Sequence, residues 1–163
     1  MARYAQLTLL GFAVLMLAGL GHVLLDLQGK QLAQRNNQRA KDVIYFLDRL
    51  EAYAQENNAV PSFPSSLQHI GSAEHGCALS TRSCQISNGT CLNLNNLMNN
   101  RDLSVPSDLK IGSYYKTGYA AKIDPQSQTI TIVACGAEQG ASIQASRGFH
   151  ELLVPRPLKN AKK

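Results

Sequence analysis

The fold of this chain is decided by residues 39–58, which read RAKDVIYFLDRLEAYAQENN. Apolar side chains recur in this stretch at spacings of three and four, at Val43, Leu47, Leu50 and Ala54. Residues three or four apart lie on the same side of a helix, so this spacing predicts an amphipathic helix. The four apolar residues form the predicted core-facing side. Asn57 and Asn58, followed by Pro61, predict where the helix ends.

The charged residues of the same segment occupy its other positions, and we expect them to face solvent. They are Arg39, Lys41, Asp42, Asp48, Arg49, Glu51 and Glu56. Exposed substitutions usually change stability by about 0.5 kcal/mol or less, so Arg49 and Glu51 are predicted to tolerate alanine. By contrast, Leu47 and Leu50 are predicted to be buried against a sheet, opposite residues such as Tyr119, Ile130 and Ile132.

An uncharged apolar run, Ala5–Leu25, precedes the amphipathic helix. At about 1.5 Å per residue, such a run spans roughly 30 Å, the hydrocarbon thickness of a bilayer. We predict a short stub at 1–4, a transmembrane anchor helix at 5–27 and an amphipathic extension at 28–58, in one nearly continuous helix. A cleaved signal peptide is the alternative, although its apolar region is usually shorter than this run.

The charges around the apolar run and the cysteines beyond it point to opposite sides of a membrane. Arg3 precedes the run and Lys30, Arg35, Arg39 and Lys41 follow it, which by charge counting alone places the domain in the cytoplasm. Four cysteines lie beyond the run, at Cys77, Cys84, Cys91 and Cys135. An even count in a small anchored domain favours two disulfides and therefore an oxidising compartment, and we follow the cysteines.

The spacing of the cysteines bears on the alternatives to disulfides, which are free thiols and a metal site. Structural zinc sites usually take two ligands two to four residues apart, whereas Cys77, Cys84 and Cys91 repeat every seven residues. We therefore predict no metal and no cofactor. Four cysteines allow three pairings, which the sequence does not separate. Our prediction is a local Cys77–Cys84 loop and a long-range Cys91–Cys135 bond.

Composition limits the chain to one ordinary domain after the anchor. The chain has 163 residues, no Trp and a net charge of +5. Such a domain has a thin core and gains from covalent cross-links. The basic residues are scattered, and the basic tail carries Lys159, Lys162 and Lys163 without interleaved aromatic residues. No nucleic-acid contact is therefore predicted.

Two strands are predicted toward the end of the domain, at Tyr114–Ile123 and Thr129–Cys135, joined by a turn at 124–128. A loop-rich region separates them from the helix. The predicted fold class is α+β, with a long N-terminal helix packed on a small antiparallel sheet that disulfides hold together. We place the globular domain at 59–140 and a C-terminal segment with a basic tail at 141–163.

Three phrases of this sequence resemble the type IV pilin and pseudopilin family. Residues 39–70, RAKDVIYFLDRLEAYAQENNAVPSFPSSLQHI, are similar to the family's apolar helix face followed by a tyrosine, a polar gap and a proline. Residues 91–110, CLNLNNLMNNRDLSVPSDLK, resemble its leucine cluster with proline and aspartate before the sheet. Residues 117–138, TGYAAKIDPQSQTITIVACGAE, resemble its terminal hairpin. Together they cover about 100 residues, in the family's order.

The N-terminus departs from the family pattern. Family precursors carry a basic leader, a Gly–Phe cleavage point and a glutamate five residues into the mature chain. Gly11–Phe12 is present here, but Arg3 is the one basic residue before it, and Met16 stands where the glutamate would be. The resemblance implies a structural or accessory subunit of a type IV pilus, type II secretion or DNA-uptake filament. It also implies a single-pass protein of the bacterial inner membrane, with its domain facing the periplasm or the cell exterior.

The resemblance further implies two partners, the lipid bilayer and other pilin-like subunits or copies of the chain, both bound through the N-terminal helix. The four histidines, His22, His69, His75 and His150, form no recognisable catalytic set with a nucleophile. No catalytic residue is predicted, and the chain is not expected to be an enzyme. Two alternatives stay open: an anchored extracytoplasmic binding module that does not polymerise, and an envelope enzyme using a free cysteine or a metal.

Overall fold

A computed structural model describes residues 2–62, 64–73, 76–87, 89–94, 105–113 and 115–154. Within the first helix, side chains are described at Met16, at Gly21 and from Val23 onward. The chain divides into two compact units, residues 1–35 and residues 36–163. Helix α1, Ala2–Asn57, is the one element of the first unit and also the first element of the second.

In the first unit, the residues of α1 whose side chains are described are exposed, except Leu32 and Arg35, which are half-buried. Val23, Leu24, Leu25 and Leu27 are all exposed. Asp26 and Lys30 form an exposed ion pair one helical turn apart, at 2.7 Å. Most of the predicted anchor, 5–27, lies outside the residues whose side chains are described. Among the described residues, a search for a helix long and apolar enough to cross a bilayer finds none.

Helix α1 ends where the sequence predicts, and the ending has a clear cause. Asn58 adopts a left-handed conformation with φ of 50°, which asparagine tolerates better than most residues. The next residue, Ala59, donates its backbone N–H to the Ala54 carbonyl at 3.2 Å. The Asn57 side chain donates to the Tyr53 carbonyl at 2.9 Å. Together these bonds satisfy carbonyls that a helix C-terminus otherwise leaves unpaired.

In the part of the chain that the structure describes, six strands follow α1 and form two antiparallel sheets. The larger sheet has the order β1–β4–β5–β6, and the smaller one pairs β2 with β3. The strands are β1 (Gln68–Gly71), β2 (Leu79–Ser80), β3 (Gln85–Ile86), β4 (Lys116–Asp124), β5 (Thr129–Ala134) and β6 (Gln144–Gly148). A one-turn helix α2, Phe149–Leu153, follows β6. The α+β class is thereby confirmed.

The central hairpin of the sheet is the one that the sequence indicates. Strands β4 and β5 pair from Tyr119 with Ala134 to Asp124 with Thr129. The intervening turn is held by the Asp124 carboxylate, which accepts the backbone N–H of Gln126 at 3.0 Å. The domain extends beyond residue 140, because β6 pairs along β5 and α2 buries Leu152. Part of the segment that we set apart at 141–163 thus belongs to the fold.

The core of the second unit lies between α1 and one face of the larger sheet. The four residues assigned to the core-facing side of the helix, Val43, Leu47, Leu50 and Ala54, are each at most 1% exposed. They lie in one apolar cluster with Tyr119, Ile130 and Ile132 of the sheet. The rings of Phe46 and Tyr119 pack at 5.3 Å between centroids.

All four cysteines form disulfides, but the predicted pairing is wrong. The bonds are Cys77–Cys91 and Cys84–Cys135, with sequence separations of 14 and 51 residues. The reason is the small β2–β3 hairpin, which places Cys77 beside the returning chain and Cys84 near the end of β5. The Cys77 backbone N–H, for example, donates to the Gly89 carbonyl at 3.0 Å. One disulfide closes the base of the hairpin and the other attaches it to the sheet.

Candidate functional site

The residues predicted from the sequence to be important lie in two places, the apolar core and the disulfides. They do not come together in one site. The helix face provides the apolar core, and the cysteines attach the β2–β3 hairpin to the larger sheet. The polar groups that the fold does bring together are different ones. They surround Arg39, which the sequence analysis assigns to solvent.

Arg39 is only 2% exposed and holds several partners from distant parts of the chain. Its Nε and Nη2 atoms donate to the two oxygens of Asp108, at 2.5 and 3.1 Å. Its Nη1 atom donates to the Asn36 side chain at 2.9 Å and to Glu138 at 3.2 Å. Lys110, on the surface, completes the group by donating to Glu138 at 2.6 Å. We refer to Asn36, Arg39, Asp108, Lys110 and Glu138 as the Arg39 cluster.

The loop that leads into β4 is built around the Asp108 carboxylate. Its Oδ1 atom accepts the backbone N–H groups of Lys110 and Ile111, at 2.8 and 3.1 Å. Gly118 and Gly136 lie against the Asp108 side chain so closely that a Cβ on either would come within 2.7 Å of it. Gly118 also has a φ of +81°, which favours glycine. Two glycines are therefore required for the carboxylate to be enclosed.

The electrostatic surroundings of Arg39 and Asp108 favour the charged form of each side chain. Burial opposes ionisation of Asp108, but hydrogen bonds from Arg39 and from the Lys110 and Ile111 backbone outweigh it and lower the pKa of the carboxyl. The hydrogen bond to Asp108 likewise raises the pKa of the Arg39 guanidinium, against the opposing effect of burial. A bidentate pair of this kind is among the stronger hydrogen-bonded arrangements in proteins.

A second buried carboxylate, Asp42, lies on α1 one turn after Arg39. Its Oδ2 atom accepts the Tyr119 hydroxyl at 2.5 Å, and its Oδ1 atom accepts the Gln38 side chain at 2.8 Å. Burial, followed by the hydrogen bond to Asp42, raises the pKa of Tyr119 far above its usual range. Tyr119 is thus a permanent donor at neutral pH, which satisfies the acceptor that the helix buries.

A second ionic contact, after the Arg39 cluster, joins α1 to the edge strand β6. The Arg147 guanidinium donates to Glu51 through Nη1, and to Asp48 at 2.5 Å through Nη2. Glu51 is only 7% exposed, so our assignment of this residue to the surface is wrong. We refer to Arg147, Asp48 and Glu51 as the Arg147 bridge.

Two features of the sequence partly indicate the contact between Arg39 and Asp108, although the spacing of the apolar residues alone does not predict it. Arg39 precedes Val43 by four residues and Leu50 follows at the same helical phase, so the apolar stripe begins with a guanidinium. Its partner Asp108 ends the Val105–Pro106–Ser107–Asp108 turn, a position where carboxylates often hold the following backbone. Which carboxylate meets which arginine depends on pairs 69 and 99 residues apart, which no local pattern encodes.

The described part of the chain shows no metal site, but it shows two depressions beside α1. No group of three or more His, Cys, Asp and Glu side chains there is arranged to hold a metal ion. The outward side of α1 carries two shallow depressions, one lined by Gln38, Lys41, Asp42, Tyr45 and Pro106. The other is lined by Ala40, Lys41, Ile44, Tyr45 and Asp48. On this outward helix face, Ala40, Lys41, Ile44 and Asp48 are exposed.

Comparison with protein-family models, with curated proteins and with solved structures finds no match to this chain.

Proposed function

We propose that this protein is a membrane-anchored, pilin-like subunit with a structural or accessory role in a type IV pilus, type II secretion or DNA-uptake filament. The observation that carries the proposal is the packing of a four-stranded antiparallel sheet on the C-terminal part of a helix that begins at Ala2. The apolar run Ala5–Leu25 would serve as the anchor. The first of the three phrases includes the C-terminal part of α1, the third includes the β4–β5 hairpin, and the second ends at the Asp108 loop, with residues 95–104 outside the described part of the chain.

Such a subunit acts through packing, and the described contacts suit a structural role. Among the described residues, α1 is held to the rest of the domain by the apolar core, the Arg39 cluster, the Asp42–Tyr119 hydrogen bond and the Arg147 bridge. Two disulfides cross-link the loop-rich side. A helix fixed by independent sets resists displacement, because removing one set leaves the others in place.

The outward helix face supports assembly through α1. Ile44 is 45% exposed there, between the exposed side chains of Lys41 and Asp48. An exposed branched apolar residue between a lysine and an aspartate suits contact with α1 of a second copy of the chain. Lys41 can pair with a carboxylate of that copy, and Asp48 remains 55% exposed although it accepts Arg147. We assign this face to contact with other subunits.

A second candidate function is an anchored binding module that does not polymerise. Leu109 and Tyr115 favour it, because both are large apolar side chains exposed near the ends of the loop that Asp108 organises. A rigid loop that presents such residues is a common form of protein-binding surface. An anchored binding module would bind one other protein and would not associate with copies of itself.

Membrane fractionation tests the anchor. The protein is expected to stay in the membrane pellet after alkaline washing and to leave it only in detergent. Intact mass of the extracted protein should include the whole run Ala5–Leu25. A chain that starts at Phe12 would instead indicate leader processing of the pilin type, and one that starts near His22 would mean a secreted protein and contradict the anchor.

A further inference from the structure

His69 is a buried histidine of strand β1 that the proposed function does not use. Its side chain is only 2% exposed. Its Nε2 atom accepts the backbone N–H of Gly118 in β4, at 3.0 Å. An imidazole nitrogen can accept a hydrogen bond only when it carries no proton, so the folded protein holds the neutral ring with its hydrogen on Nδ1.

The surroundings of His69 contain one contact that favours a second proton and two effects that oppose it. An interaction with the backbone of Cys77 favours the protonated ring, although the Nδ1 atom makes no hydrogen bond of ordinary geometry. The charged group that acts on the ring from β4 is the Lys116 ammonium, which repels an imidazolium. The Asp108 side chain also lies against Gly118, but its charge is paired with that of Arg39. Burial, which is the largest effect, and the Lys116 charge together outweigh the Cys77 interaction and lower the pKa of His69.

The bond between His69 and Gly118 lies where several parts of the fold join. The Gly118 carbonyl accepts the backbone N–H of Cys135, next to the sheet-side disulfide. On the same edge, the Thr117 hydroxyl donates to the Ile70 carbonyl at 2.8 Å. The register of β1 on β4 shifts between His69 and Gly71, so ordinary ladder pairing is interrupted there. The histidine side chain thus compensates for an irregular strand pair.

We propose that His69 is an acid-sensitive latch that holds the β1 edge of the sheet on β4 and releases it when the imidazole takes up a second proton. Protonation turns the acceptor Nε2 into a donor that faces the Gly118 N–H, so the hydrogen bond is lost and replaced by repulsion. Released strand β1 would uncover Ile70 and Leu92, which are buried and joined by a parallel bridge. The core between α1 and strands β4, β5 and β6 stays closed.

The sign of the pH dependence follows from linkage. The opened edge binds a proton at the ordinary histidine pKa of about 6.5, whereas the closed edge binds it only at lower pH. The opened form therefore gains protons first, and opening becomes more favourable as the pH falls below about 6.5. Within that window the opening equilibrium should rise by up to about tenfold per pH unit.

Hydrogen exchange of the full-length protein in detergent micelles, corrected for intrinsic exchange at each pH, tests the latch. Between pH 7 and pH 5, protection of the amides at residues 68–71 and at Gly118 should fall by about tenfold or more. Amides of β5 should keep their protection. The variant His69→Gln presents an uncharged acceptor to Gly118, so protection of the same amides should be independent of pH.

The matched control is His150→Gln, because His150 is an exposed histidine on α2. It should retain the pH dependence of the unaltered protein. The proposal is overturned if the β1 edge shows no loss of protection in acid, or if His69→Gln loses protection as the unaltered protein does. Should His69→Gln not fold, the histidine ¹⁵N spectrum of the unaltered protein decides. Protonation of His69 without loss of Gly118 protection would overturn the latch, and loss in step with protonation would support it.

Discussion

The Arg39 guanidinium on α1 donates two hydrogen bonds to the Asp108 carboxylate, and both side chains are almost fully buried. Removal of one partner from such a pair leaves an uncompensated buried charge, which typically costs about 3–5 kcal/mol. Arg39→Met should therefore lower the free energy of unfolding by roughly that amount, measured by chemical denaturation of the full-length protein. Lys110→Met removes the exposed cation of the same cluster and should cost about 1 kcal/mol or less. Equal losses of unfolding free energy in the two variants would contradict the assignment of Arg39 as the buried partner.

Acid should weaken the Arg39 cluster only at low pH. Because the pKa of folded Asp108 lies below its ordinary value, the unfolded chain binds a proton first. The stabilisation is complete above about pH 4 and is lost as the pH falls through the folded pKa. Unfolding free energy measured from pH 5 to pH 2 should fall more steeply for the unaltered protein than for Asp108→Asn. This window lies well below that of His69, so the two effects can be separated.

Because of the Arg147 bridge, we expect substitution of Glu51 to destabilise the fold, although the sequence predicts that this residue is exposed. Glu51→Ala would leave the Arg147 guanidinium, largely buried, with only the exposed carboxylate of Asp48. We expect a loss of about 1–3 kcal/mol, the usual penalty for an unsatisfied buried polar group. Lys41→Ala, on the outward face of the same helix, should change stability by about 0.5 kcal/mol or less. Thermal melting of both variants makes the comparison, and identical melting temperatures would place Glu51 in solvent.

The apolar stripe should matter at least as much as the ionic contacts. Leu47 is 1% exposed and lies in the core cluster with Ile130 and Ile132. Truncation of a buried leucine to alanine typically costs about 2–5 kcal/mol. Leu47→Ala should therefore melt well below the unaltered protein, while Ala52→Ser, at an exposed position of the same helix, should not. A Leu47→Ala variant as stable as the parent would mean that the helix does not form the core.

The disulfides differ in the length of chain that they close. In the chain-entropy account, a bond across 51 residues contributes about 4 kcal/mol and one across 14 residues about 3 kcal/mol. The double variant Cys84→Ser/Cys135→Ser should be less stable than Cys77→Ser/Cys91→Ser, which serves as its control. Peptide mapping without reductant should recover Cys77 joined to Cys91. A peptide that links Cys77 to Cys84 would instead restore the pairing that we predicted from sequence.

Local sequence patterns predict the amphipathic helix and strand β5. They do not predict which distant residues these elements contact. The spacing of Val43, Leu47 and Leu50 specifies both the helix and its buried side, because a helix repeats every 3.6 residues whatever its partner. The run of β-branched residues from Thr129 specifies β5 in the same way. The partner of Arg39 and the pairing of Cys77 depend on where distant loops return, and that is set by the whole fold.

The burial of charged residues is not predicted from the sequence, and the cause is physical. Charged residues are usually exposed, so the sequence alone places Arg39, Asp42 and Glu51 in solvent. In the structure each is buried because another polar side chain meets it, from Asp108, Tyr119 and Arg147 respectively. Strand β6 is not predicted from the sequence either, because Gln-Ala-Ser-Arg-Gly has little β propensity. Pairing with β5 holds this segment as a strand.

The central claim is that this chain assembles with copies of itself through the outward face of α1. The most direct test replaces Ile44 with a photo-cross-linking amino acid in the full-length protein and illuminates intact native membranes. A ladder of bands at multiples of the monomer mass is expected, with mass spectrometry locating the cross-links on α1 of a second copy. The same amino acid at Gln126, exposed in the β4–β5 turn, is the control and should give far weaker self-cross-links. Monomer alone at Ile44, or a single adduct to a different protein, would contradict the claim and favour the anchored binding module.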